Sequence, residues 1–91
     1  MNREELLNTA KQMVCGKRET DYGSPEDNFS LIGEFWSTYL EIKINAQDVA
    51  NMMCLMKLAR IKSGHGTMDS YIDLAGYAAC GGEILSNKEE K

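Results

Sequence analysis

Proline occurs once and histidine once in the 91-residue chain, and no run of basic residues appears anywhere in it. Ten Lys and Arg stand against fourteen Asp and Glu, for a net charge of −4. Sequence-independent binding to a nucleic-acid polymer draws its affinity from neutralised phosphates, so no such partner is expected. No apolar run approaches the roughly 20 residues that cross a bilayer, so no membrane span is expected either. Cys15, Cys54 and Cys80 lie far apart with no CxxC spacing, and no signal peptide is apparent. They read as reduced, buried thiols of a protein in the cytoplasm rather than as zinc ligands or disulfides. With 43% apolar and 26% charged residues the composition is that of a globular chain. Its length makes residues 1–91 a single domain that buries only about 60 to 65% of its unfolded surface. So small a core gains from a partner subunit, and a homo-oligomer is expected.

What is present is helical periodicity. "REELLNTAKQMVC", residues 3–15, sets Leu6, Leu7, Ala10, Met13 and Val14 at helical spacing, with acids in the first turn. Gly16 suits a helix stop, and "GKRETDYG" then reads as a polar loop turned by Gly23. Ser24, Pro25, Glu26 and Asp27 are strong helix-start signals. After them Phe29, Ile32, Phe35, Trp36, Tyr39 and Leu40 form one apolar stripe. Asn45 with Asp48 predicts a variant capping box for a helix running to about Ser63. "GHGT" turns the chain, and Thr67 caps a last helix rich in small residues, where Ala75, Ala78, Ala79 and Gly82 allow close backbone approach. The tail from about residue 86 should fray. The expected fold is all-α, a compact four-helix bundle. It is expected to be oligomeric, with residues 24–40 and the small-residue helix as the favoured interface.

Cations inside an apolar helix need explaining. Taking Asp48 as the solvent direction, Lys57 and Arg60 fall on the opposite side of their helix, among Val49, Met53 and Met56. An unpaired buried charge costs several kcal/mol, so partners are required. Asp69 and Asp73 on the next helix, with Tyr77 one turn further, can supply them. Two readings are compatible: an ion-pair network that ties the helices together, and a pocket wall that holds a ligand. A second cluster, Lys17, Arg18 and Tyr22, is either a solvated loop or a phosphate clamp with a ring to stack on a base or sugar. Asn28 is a further candidate contact. Trp36 reads as core, and His65, between glycines, has no ligand spacing near it.

The order of "R…DYGSPEDNFSLIGEFWSTYL", "DVANMMCLMKLARI" and "DSYIDLAGYAACGGE" resembles a family of small proteins of unknown function common in phages and prophages, over about residues 14–83. The resemblance implies a helical fold and a bacterial host cytoplasm as the setting. It implies no activity. A weaker resemblance is to the all-α nucleotide pyrophosphohydrolases of the MazG type, oligomers that hold magnesium with an ExxE pair and an ExxD pair. The chain departs from that pattern: its central helix has no ExxE, and its last helix has Asp69 and Asp73 in a DxxxD spacing. In that reading Glu34, Asp48, Asp69 and Asp73 would supply the oxygens magnesium needs.

Three functions are therefore weighed. The first is a non-catalytic binder that sequesters a nucleotide immune signal, ADP-ribose-derived or a cyclic dinucleotide. The chain is similar in size and in its grouped cations to phage proteins of that class. Its ligand contacts would be Lys17, Arg18, Tyr22, Asn28, Lys57, Arg60, Asp69, Asp73 and Tyr77, with no cofactor or metal. The second is a magnesium-dependent pyrophosphohydrolase. The third is an inhibitory protein-interaction module acting through an acidic surface.

Overall fold

In the computed structural model, which describes residues 1–89, one long helical rod opens the chain. It comprises α1 (Arg3–Gln12), a π-helical turn (Met13–Lys17) and α2 (Arg18–Tyr22). Then follow α3 (Pro25–Leu40), α4 (Ala46–Lys62) and α5 (Met68–Glu89), and no strand occurs among the described residues. The expected four-helix, all-α bundle is what forms. The first helix, however, does not stop at Gly16, and "GKRETDY" is not a loop. Arg18 N–H bonds to Met13 C=O, five residues back, so the helix widens by one residue and continues. It ends at Gly23, whose φ of 82° belongs to the region that favours glycine.

The caps expected at Ser24 and Asn45 are present, and Asn2 adds one that was not expected. Asn2 and Glu5 form a capping box, and Ser24 Oγ accepts from Asp27 N–H with Pro25 in the first turn. Asn45 and Asp48 bond reciprocally, at 2.8 and 3.1 Å. At Thr67 the backbone N–H donates to Ser70 Oγ.

α4 and α5 form an antiparallel hairpin. Ala50 faces Gly81 and Lys57 faces Asp73. The α3 helix crosses the N-terminal half of α4, where Phe29, Ala46, Val49, Ala50, Cys80 and Ile84 make the core. Gly33 permits that crossing: a Cβ there would sit 2.7 Å from the Ile44 carbonyl. Ser37 locks the α3–α4 connection by bonding both backbone groups of Ile44. The rod lies against α5 through Val14, whose methyl would be 2.9 Å from a Cβ on Gly76. Asn87 Nδ2 donates to Glu26 Oε2, tying the far end of α5 to the start of α3. The helix reaches Glu89; the last two residues of the tail expected to fray lie outside the described residues.

Two expectations change. The apolar stripe of α3 splits, because only one side of it meets α4: Phe29, Ile32 and Trp36 join the core, while Phe35, Tyr39 and Leu40 face outward. The cysteines also divide, with Cys80 buried, Cys54 half-buried and Cys15 exposed. Burial pushes the Cys80 and Cys54 thiols above their ordinary range.

Candidate functional site

Where the rod crosses α5 there is a cavity of about 190 Å³. Lys17, Arg18, Asp21 and Tyr22 line it from the rod, and Asp73 and Tyr77 line it from α5. Met13, Val14 and Gly76 form its apolar side. Val14, Arg18 and Tyr22 follow one another at four-residue spacing, so they share the side of the rod that faces α5. Within that stretch lies the π turn over Met13–Lys17. Such turns are frequent at functional sites.

Arg18 is the centre of the arrangement. Its guanidinium carbon lies 5.2 Å from the Tyr22 ring centroid, 5.5 Å from that of Tyr77 and 5.9 Å from that of Phe29. These are cation–π distances, and a contact of that kind does not use up the N–H donors of the group. Among the described residues no carboxylate lies within ion-pair distance of it; the ion pair there is Lys57 with Asp73. Arg18 is half-buried, and among the described residues no buried side-chain donor lacks a partner, so its N–H groups reach solvent. A planar cation held this way can accept an oxyanion along its free edge with two parallel hydrogen bonds.

Lys57 and Asp73 brace the same wall. Lys57 is 8% exposed and its Nζ lies 2.9 Å from Asp73 Oδ2. The expected ion pair between α4 and α5 is thus present, and it also sets the orientation of one cavity residue. Six of the nine sequence candidates converge here: Lys17, Arg18, Tyr22, Asp73 and Tyr77 in the lining, and Lys57 through its bond to Asp73. The other three do not. Arg60 was expected beside Lys57 on a buried face, yet it is exposed. Since α3 covers only the first half of α4, the face that is buried at Val49 is open by Arg60. Asp69 is exposed one turn before Asp73, and Asn28 is half-buried on α3; neither lines the cavity.

Glu34, Asp48, Asp69 and Asp73 are not brought together. Among the described residues no three His, Cys, Asp or Glu side chains form a group with metal-site spacing. Asp48 is occupied in its capping box and Asp73 by Lys57. The sequence reading missed Asp21 and the part of Phe29 under Arg18. A signal for Phe29 exists in its place at the start of α3, but using it requires knowing that the rod stays helical past Gly16.

The family described as domain of unknown function (DUF6378) matches residues 5–85. The chain is 46% identical over 77 residues to the Gene 55 protein of Mycobacterium phage D29, covering 85% of this chain and 51% of that protein. It is 36% identical over 74 residues to the Gene 55 protein of Mycobacterium phage L5, covering 80% of this chain and 47% of that protein. The chain therefore spans about half the length of these curated relatives. No solved structure matches.

Proposed function

The chain belongs to the DUF6378 family, a phage protein family of unknown function, and from that premise we propose that it is a nucleotide-binding protein whose phosphate seat is Arg18. One observation carries the reading: a guanidinium set against three aromatic rings, with no carboxylate among the described residues within ion-pair distance of it. Structural arginines are normally paired; this one is oriented and left available. Lys17 adds a second cation at the rim. Tyr22 is 61% exposed and keeps a ring face for a base or sugar. Pockets that enclose a whole small-molecule ligand measure about 300 to 1,000 Å³. At about 190 Å³ this cavity takes the phosphate-bearing end and leaves the rest outside.

Among the described residues the lining holds no Ser, Cys or His, and Asp73, one of its two carboxylates, is engaged by Lys57. The function proposed is accordingly capture without turnover: sequestration, in the host cytoplasm, of a nucleotide immune signal such as an ADP-ribose derivative or a cyclic dinucleotide. Calorimetric titration of the parent and of Arg18→Ala against ADP-ribose derivatives, cyclic dinucleotides and nucleoside triphosphates tests it. The parent should bind at least one of them, with or without EDTA, and Arg18→Ala should weaken that binding tenfold or more. A charge-assisted hydrogen bond is worth about 1.5 to 3 kcal/mol, and tenfold is about 1.4. A parent that binds none, or a variant that binds as the parent does while remaining folded, overturns the proposal.

A further inference from the structure

We propose that the outer face of α3 seats a second copy of this chain, with the two α3 helices packed antiparallel about a two-fold axis at Phe35. This is independent of what the cavity binds. Leu31, Phe35 and Tyr39 stand four residues apart, so they form one ridge along the helix. They are 54%, 69% and 87% exposed, on the side of α3 that does not meet α4. The two rings alone leave about 300 Å² of apolar surface open, already the size of the largest patch on many monomers.

The ridge suits a copy of itself. Phe35 is its midpoint, with Leu31 one turn before and Tyr39 one turn after. An antiparallel partner sets Phe35 on Phe35 and Leu31 on Tyr39, twice, which is the self-complementarity a two-fold interface requires. Ridges of residues four apart from two helices also interdigitate in the commonest class of helix packing. Both copies carry a net charge of −4, so attraction has to be apolar, and the ridge itself is uncharged.

The surface area points to the same occupant. The chain exposes 6447 Å². A folded monomer of its 10.2 kDa exposes about 5,300 Å². The excess, about 1,100 Å², is more than the roughly 800 Å² per partner that a standard interface covers. An elongated shape of 39 × 31 × 25 Å is what remains when one copy stands alone.

Light scattering coupled to size exclusion, on the full chain at micromolar concentration, tests this with two variants. The parent should show twice the 10.2 kDa chain mass. Phe35→Glu should show a single chain mass with an unchanged far-ultraviolet circular dichroism spectrum, because its side chain faces outward. Leu55→Glu, at an exposed leucine on α4, should remain dimeric. A monomeric parent overturns the proposal, as does a Phe35→Glu protein that stays dimeric. Loss of the dimer in Leu55→Glu alone would move the interface to the α4–α5 hairpin and overturn it equally.

Discussion

Asp73→Ala should destabilise the protein far more than Lys57→Met, although the two side chains form one ion pair. The asymmetry comes from burial. The Lys57 side chain is 11% exposed and that of Asp73 is 26% exposed. Removing the aspartate strands an ammonium where water hardly reaches, and breaking a buried pair this way costs about 3 to 5 kcal/mol. Because Asp73 lies partly open at the cavity, about 3 is the appropriate end. Removing the lysine leaves a carboxylate that the cavity can hydrate, while methionine keeps the buried stem, so about 1 kcal/mol is expected. A chain of this size has roughly 5 to 14 kcal/mol in total, so 3 is a large fraction. In urea, with a slope near 1 kcal/mol per molar, the Asp73→Ala midpoint should fall by about 3 M. Adding Lys57→Met to Asp73→Ala should restore about 2 kcal/mol by removing the stranded charge. The assay is urea denaturation followed by circular dichroism at one fixed protein concentration, since self-association shifts apparent stability. If Asp73→Ala is no worse than Lys57→Met, Lys57 is not buried in the way described.

Gly33→Ala should cost about 1 to 3 kcal/mol, since its Cβ would press on the Ile44 carbonyl at 2.7 Å; Gly16→Ala, with nothing within 4 Å, should not destabilise, and thermal melts of the pair decide it. Maleimide labelling should modify Cys15 quickly and leave Cys54 and Cys80 slow until the chain unfolds. Because burial raises the Cys80 and Cys54 thiols above 9.0, the folded state favours their neutral form. That contribution is complete below pH 9 and is lost as pH rises through the folded values, so midpoints measured at pH 8 and pH 10.5 should differ, with the lower one at pH 10.5.

Capping residues carried most of the fold in plain view. Ser24 and the Asn45–Asp48 pair act locally, through bonds to backbone groups three residues away, and Gly23 through its own backbone conformation, so sequence alone places them. The α4–α5 ion pair was legible for a similar reason, since a lysine inside an apolar helix demands an acid and Asp73 was within reach. Arg60 was misplaced because a helical wheel says which face is apolar, not how far a neighbour extends along it. Residues 16–22 were misread because Gly16 with polar residues after it resembles a helix end, and nothing local specifies a π turn. That turn is stabilised by tertiary contacts, Val14 on Gly76 and Arg18 over Tyr77 and Phe29, whose partners lie far along the chain. Once those residues are helical, Lys17, Arg18 and Tyr22 join Asp73 and Tyr77 in one wall.

The proposal that Arg18 seats the phosphate of a captured nucleotide is tested most directly by mass spectrometry of what the protein carries. Parent protein and Arg18→Ala, each purified from phage-infected cells and then heat-denatured, should release different small molecules. The account predicts a phosphorylated nucleotide from the parent, at up to one per cavity, and its absence from the Arg18→Ala sample. A parent that releases no phosphorylated compound, or two samples that release equal amounts, would contradict it.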